Sequence, residues 1–470
     1  MKVKTRFSPS PTGVFHIGGA RTALYSWLFS KRYNGKFLLR IEDTDINRSK
    51  IIYNDSILKG LKWLNLNWDE GPYFQSSRLV RYNHIIQSML KNNTAYKCYC
   101  STNRLLKLRK KQILLGKKPK YDEKCRNISE GYYHSDRLYA VRFRNPKIGK
   151  VVFLDQVRGK IEFLNNELDD LVIQRSNGLP TYNFSVVIDD YDMKITHVIR
   201  GEEHINNTVR QINILNSLGK KIPIYAHLST ILNNNGKKIS KRDKDRTFNV
   251  LEYKKLGFFP EAMINYLLRL GWSHGNQEIF TIEEMKKLFS LKKITKSSSL
   301  FDKKKLLWIN RCYMNILPKS KIINKLRNFY LEKKIGINNG PNIKDVFELM
   351  KIRCSTLLDM VESSRFFYED KLVIDHLEVK RNITAKDICI LKFILNKINF
   401  IEDWKIEKLS QLLKSCLLEL EISFSEVGKI IRLSLTGKKH TPSIKDILYL
   451  FGKEKCLFRI KNFIKIFKIK

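Results

Sequence analysis

Residues 3–41 constrain this chain more tightly than any other stretch. Val3 to Phe7 alternates as a short strand does, and Phe7-Ser-Pro-Ser-Pro-Thr-Gly13 cannot continue it, because two prolines and a glycine break the ladder. After Val14-Phe15-His16-Ile17-Gly18-Gly19, apolar residues recur at Ala20, Leu24, Trp27 and Leu28, the spacing of an amphipathic helix. The helix runs towards Tyr33, where Gly35 is placed to end it. Phe37-Leu38-Leu39-Arg40-Ile41 then reads as a buried strand leading into Glu42-Asp43-Thr44-Asp45. Strand, loop, helix and strand make the opening unit of a parallel sheet, in which ligands sit beyond the carboxyl ends of the strands. The positive end of the helix, with His16 and two glycines beside it, is a ready phosphate site. A histidine at a helix start also serves simply as a cap. Walker A and G-x-G-x-x-G sequences are absent here, which disfavours a P-loop ATPase or a dehydrogenase.

Far downstream, Asn233-Asn-Asn-Gly-Lys237-Lys238-Ile239-Ser240-Lys241-Arg242 joins a turn-rich start to a dense cationic cluster. Alone it reads as a solvated charge run. Charge is abundant throughout: 88 Lys and Arg against 46 Asp and Glu give a net +42. Such an excess favours a polyanionic partner. The richness in Lys, Asn and Ile is also what A/T-rich codons produce, so charge supports a nucleic-acid partner without carrying it. At 470 residues the chain calls for more than one domain. The N-terminus is unlike a secretory signal, and no apolar run approaches the ~18 residues of a membrane span, so the chain reads as cytoplasmic.

Taken together, Pro9-Ser-Pro-Thr-Gly-Val-Phe-His16-Ile-Gly-Gly19 and Lys238-Ile-Ser-Lys-Arg242 resemble the paired "HIGH" and "KMSKS" signatures of class I aminoacyl-tRNA synthetases. Arg6-Phe-Ser-Pro-Ser-Pro-Thr-Gly13 resembles the glutamyl branch rather than the glutaminyl one. So do Leu39-Arg-Ile-Glu-Asp-Thr-Asp45, Trp68-Asp-Glu-Gly-Pro72, Pro180-Thr-Tyr-Asn-Phe184, Val198-Ile-Arg-Gly-Glu-Glu-His204 and Leu270-Gly-Trp-Ser-His274.

The resemblance implies an α/β fold, a Rossmann-like parallel sheet interrupted by a connective insertion and followed by an all-helical anticodon-binding region. The implied division is 1–77 and 191–238 for the two halves of the catalytic domain and 78–190 for the insertion. Residues 239–310 follow as the KMSKS loop and stem-contact region, and 311–470 as the anticodon-binding domain. It implies ATP with Mg2+, L-glutamate and tRNA(Glu) as partners, and a monomer. His16 and Lys241 are the implied catalytic residues, stabilising charge on the reacting phosphate. Pro9, Thr12, Gly13, Gly18, Gly19, His204, Leu232, Lys238 and Ser240 join them around ATP. Arg6 and Arg200 would take the two carboxylates of glutamate and Glu42 its ammonium group, with Ser8, Ser10 and Tyr182 adding hydrogen bonds. A non-discriminating enzyme that also charges tRNA(Gln), and an inactive tRNA-binding paralogue, are the competing readings.

The family also implies a structural zinc, held by C-x-C and C-x-H. Here Cys98, Cys100 and Cys125 are present, but Asn127 stands where the second motif expects His. Tyr121, four residues before Cys125, matches a tyrosine ligand of a close relative, and His134 is another donor. A zinc site and three free thiols both remain open. The other five cysteines read as small buried hydrophobes. Near the end, Leu457, Ile460, Ile464 and Phe467 share a helical face flanked by Arg459, Lys461, Lys465 and Lys468, a pattern that closes a helical domain or lies on a membrane surface.

Overall fold

Leu38, Leu39 and Ile41 have no exposed surface, and the strand that carries them is flanked by a strand on each side. In a computed structural model of the chain, residues 2–45, 51–128, 138–233, 235–239, 248–370 and 383–466 are described. His134, Ser240, Lys241 and Phe467 lie outside them. Strand β1 (Lys4–Phe7), helix α1 (Ile17–Arg32) and β2 (Lys36–Ile41) follow the expected order, and β1 pairs with β2 in parallel. Helix α2 (Ile51–Trp63) then leads to β3 (Glu70–Phe74), which extends the sheet beyond β2, again in parallel.

The end of α1 departs from the expectation in one respect. Its cap is Tyr33, and the left-handed residue is Asn34, at φ 49°, rather than Gly35. Gly35 is needed for a different reason, since a Cβ there would sit 2.2 Å from the Val3 carbonyl oxygen.

The sheet resumes on the other side of β1 with β9 (His197–Gly201), and β10 (Ile224–Leu228) lies parallel to β9. Thr196 ties the two halves, its N–H donating to the Lys4 carbonyl at 2.9 Å while its Oγ1 accepts from the Lys4 N–H at 2.8 Å. The carboxyl ends of β1, β2 and β9 therefore share one edge, and Arg6, Glu42 and Arg200 sit along it.

Between the halves lie two antiparallel modules. Strands β4 (Ala95–Cys98), β5 (Ala140–Phe143) and β8 (Val172–Gln174) form one sheet. It packs with helix α3 (Leu79–Lys91), helix α5 (Tyr182–Asp192) and helix α6 (Ile205–Ser217) around Tyr82, Ile86, Phe143, Phe184 and Ile214. Helix α4 (Thr102–Leu114) buries none of its residues. The second module is the hairpin β6 (Lys150–Asp155) and β7 (Gly159–Leu164). Val151 and Phe153 of β6 point inward against Leu38, Val209 and Tyr225, so the hairpin packs on the catalytic sheet itself.

Residues 304–470 form a second compact unit together with 255–259, and its described regular elements are helical. The last helix, Ile444–Ile466, is broken at Gly452 (φ 75°). Its buried stripe is Cys456, Arg459, Ile460, Phe463 and Ile464, while Leu457 is only half-buried. This corrects the expected placement of Arg459 on the flank of the apolar face. The residue is 1% exposed, and its guanidinium donates to the carbonyls of Leu435, Phe366 and Glu369. The face proposed for a membrane surface is therefore spent on closing the helical unit. No helix among the described residues is long and apolar enough to cross a membrane.

Candidate active site

A cleft of about 170 Å³ opens at the carboxyl edge of the sheet, lined among others by Arg6, Ser8, His16, Gly18, Gly19, Glu42, Tyr182, Arg200, His204 and Lys238. Ten residues singled out from sequence segments far apart thus meet on one wall. Pro9, Ser10, Thr12 and Gly13 belong to the loop between β1 and α1 but are not on that wall, and Leu232 is also off it. The Leu232 carbonyl accepts from the Phe301 N–H at 2.9 Å, while its neighbour Ile231 lines the cleft. Ser240 and Lys241 fall outside the described residues.

At one end the cleft is built from buried charge. Arg6 is 4% exposed, and its Nε donates to both carboxylate oxygens of Asp190, at 3.2 and 3.3 Å. Arg40, wholly buried, donates to Asp190 at 2.8 Å and lies within 3.4 Å of Glu42 and 3.6 Å of Asp189. Burial pushes the Glu42 carboxyl up to about 7, against the pull of Arg40 and Arg6. Arg200 comes from β9, with Nη2 donating to Thr208 and Gln211. Its Nη1 is buried with no hydrogen-bond partner among the described residues, as is Ser8 Oγ. Both belong to residues that line the cleft, so its walls carry polar capacity that no described protein group uses.

At the other end stands α1. His16 is its N-cap: Nδ1 accepts from the N–H of Gly18 at 3.1 Å and of Gly19 at 3.4 Å. A neutral ring in that arrangement carries its proton on Nε2. The capping role and the site role coincide, because the cap fixes the tautomer. A Cβ at Gly18 would lie 3.0 Å from His16 Cε1, so glycine lets the imidazole cover the helix end. His204 stands between the two ends. Asn207 and Tyr182 lie 3.2 and 3.4 Å from its Nδ1, and burial, then the nearby Arg200, lowers it to about 4, leaving it neutral. Lys238 is exposed and 3.7 Å from Glu203.

Two residues escaped the sequence reading, one on the wall and one bonded to a wall residue. Arg21, one turn into α1, lines the cleft and donates to the carbonyls of Leu270 and Ser229. An arginine inside an otherwise apolar helix is the signal that could have found it. Asp190 carried no local signal, because its partners lie on β1 and β2.

In the insertion, Cys98, Cys100 and Cys125 place their sulfurs within 4.8 Å of one another. Tyr121 Oη is 3.4 Å from Cys98 Sγ and 3.5 Å from Cys100 Sγ. Asn127 points elsewhere, its Oδ1 3.4 Å from Arg144.

A parallel sheet with a histidine-capped helix at its carboxyl edge, an antiparallel insertion and a following helical unit define the class. Residues 2–308 match the family model "tRNA synthetases class I (E and Q), catalytic domain", and residues 321–464 match "Anticodon binding domain". The chain belongs to the glutamate–tRNA ligase family of class I synthetases. It is 52% identical to the glutamate–tRNA ligase of Buchnera aphidicola subsp. Acyrthosiphon pisum (strain APS), covering 100% of both chains. It is 50% identical to that of the Cinara cedri strain, covering 100% of this chain and 98% of the other. A crystal structure of a glutamate tRNA ligase from Elizabethkingia meningosepticum, in complex with its amino acid, superposes with a TM-score of 0.85 at 30% identity, covering 99% of each chain.

Proposed function

We propose that this chain joins L-glutamate to tRNA(Glu) in two steps at the cleft. The α-carboxylate of glutamate attacks the α-phosphorus of ATP, pyrophosphate leaves, and glutamyl-adenylate forms. The terminal ribose hydroxyl of the tRNA then attacks the glutamyl carbonyl, and AMP leaves. One observation carries the reading: two buried arginines and a buried carboxylate converge on the wall of a cleft that a capped helix end also lines.

Arg6 and Arg200 bind the two carboxylates of glutamate and Glu42 its ammonium group. Ser8 and Tyr182, which line the cleft, supply directional hydrogen bonds, and Ser10 would join them only if the loop between β1 and α1 moved onto the ligand. Glutamine matches glutamate in shape but would leave one arginine without its anion, a cost on the order of 3–5 kcal/mol. That corresponds to roughly a hundred- to several-thousand-fold discrimination. Phosphoryl transfer needs positioning and cations where charge accumulates. His16 Nε2–H and Lys241 serve that purpose, Gly18 and Gly19 allow close approach, and Pro9, Thr12, Gly13, Lys238 and Ser240 hold the nucleotide. His204 and the main chain near Leu232 flank the adenosine. Mg2+ would accompany the phosphates of ATP.

Zinc fits the insertion as a Cys98, Cys100, Cys125 and Tyr121 site, the donor set and spacing suiting a tetrahedral ion. It would be structural, fixing the segment beside β4. Tyr121 is the weakest of the four ligands, because burial and its contacts with the thiols raise its pKa. Residues 78–190 would receive the acceptor end of the tRNA and residues 311–470 the anticodon, in a cytoplasmic monomer.

Charging of purified tRNA(Glu) and tRNA(Gln) in separate reactions tests the assignment. Glutamate on tRNA(Glu) alone is expected. Charging of both would replace it with the non-discriminating enzyme, and charging of neither by folded protein would leave a tRNA-binding relative.

A further inference from the structure

Arg200 and His227 are register partners on the parallel pair β9 and β10, so their side chains share one face. Both are buried. Arg200 Nε donates toward His227 Nε2 at 3.4 Å, and Thr208 Oγ1 lies 2.9 Å from the same ring nitrogen. On the far side of the ring, His227 Nδ1 lies 2.6 Å from Asp155 Oδ2. Asp155 is the last residue of β6, so this carboxylate is delivered by the inserted hairpin. It also accepts from the main-chain N–H groups of Val157, Arg158 and His227, at 2.9, 2.8 and 3.1 Å.

The direction of these bonds follows from charge. Burial opposes ionisation of Asp155, but the bonds from His227 and from the Arg158 and Val157 N–H groups prevail and hold its pKa below the usual range. Burial keeps His227 below the usual histidine range, so its ring is neutral. An ionised carboxylate has no proton to give, so the single ring proton sits on Nδ1 and Nε2 is the acceptor that faces Arg200. The opposite tautomer would set N–H against N–H.

We propose that Asp155 and His227 are positioning residues for Arg200: the inserted hairpin fixes the imidazole tautomer, and the imidazole orients the guanidinium. Arg200 Nη1, which has no hydrogen-bond partner among the described residues, is thereby held ready on a side chain that lines the cleft. The inference rests on the reading of Arg200 as a ligand of a glutamate carboxylate. It also gives the insertion a part in amino-acid recognition beyond contact with RNA.

The test is steady-state ATP–pyrophosphate exchange in the presence of tRNA(Glu), with glutamate and ATP varied separately and melting followed in parallel. An Asp155→Asn amide must turn an N–H towards a ring nitrogen or a main-chain N–H, and so unsettles the tautomer. It is expected to raise the glutamate KM roughly 10- to 100-fold while the ATP KM stays within about twofold. His227→Gln, whose amide oxygen can still accept from Arg200, should retain more glutamate affinity than His227→Ala at equal melting temperature. An unchanged glutamate KM in folded Asp155→Asn overturns the proposal, and so does a parallel rise in both KM values. If Asp155→Asn does not fold, the comparison of His227→Gln with His227→Ala decides, and equal KM values overturn it. Arg200→Lys separates the two claims. A wild-type glutamate KM in that variant sinks the reading of the pocket, whereas a raised one beside a normal Asp155→Asn sinks the positioning role alone.

Discussion

The two ends of the cleft handle charge in opposite ways. Around Arg6, Arg40, Glu42, Asp190 and Arg200, the side chains are nine-tenths buried or more and most are fixed by one another. Around His16 and Lys238, the polar groups are half-buried or exposed, and the pair of Lys238 with Glu203 is an exposed one of the kind worth little on its own. The difference matches the ligands proposed for them. A small amino acid must be told from its amide by prearranged charge, whereas a triphosphate common to many enzymes needs close backbone approach and cations. Geometry stored in a buried lattice should fail sharply and selectively when cut. A solvated end should lose rate more than affinity.

The largest expected effect is at the buried end. Arg6→Ala removes one proposed carboxylate ligand and one of the two arginines on Asp190. It should raise the glutamate KM by about a hundredfold to several thousandfold, with the ATP KM little changed. Equal rises in both constants, measured by exchange, would erase the distinction between the ends. His16→Ala should show the converse, an exchange rate lower by roughly 100- to 1000-fold at a nearly constant glutamate KM.

Acidity sharpens the same contrast. Glu42 stands near 7 because it is buried, so its ionised form, the one suited to an ammonium group, grows in as pH rises through that value. The kcat/KM for glutamate should increase across about pH 6–8 and flatten above, and Glu42→Gln should remove that dependence. His204, lowered to about 4, does not titrate in this window. The stability linkage has the opposite sign. A carboxyl raised in the folded state stabilises the fold at low pH, and that contribution is lost as pH rises from the ordinary carboxylate range through about 7. Wild-type protein should lose this increment over that range, and Glu42→Gln should not.

The smallest effect concerns the insertion, away from both ends. Metal analysis of purified protein should find one zinc per chain, and Tyr121→Phe should lower zinc affinity by roughly 10- to 100-fold while glutamate and ATP KM values hold within about twofold. A protein devoid of zinc after purification without chelator would remove the metal and leave three thiols.

The pattern of what was legible in the sequence follows from range. The strand, loop, helix and strand of residues 3–41 are set by neighbouring residues, and their order is found as read. The ten cleft residues named from the sequence were legible because each sits in a short motif whose types suit a phosphate or a carboxylate. Asp190, Asp155 and His227 were not, since their importance depends on which strands lie side by side, and β9 meets β1 only after a long insertion. Arg459 misled for a related reason. Its position on a helical wheel is a flank, but three main-chain carbonyls, of Leu435, Phe366 and Glu369, needed a donor there. The segment around Lys241 was conspicuous in sequence, and its geometry lies outside the described residues.

Exchange of pyrophosphate into ATP, run with glutamate or glutamine and with or without tRNA(Glu), shows whether the buried charges of the cleft select glutamate. The account predicts exchange with glutamate in the presence of tRNA(Glu), and glutamine weaker by at least about a hundredfold. Comparable exchange with glutamine, or none with either amino acid from folded protein, would contradict it.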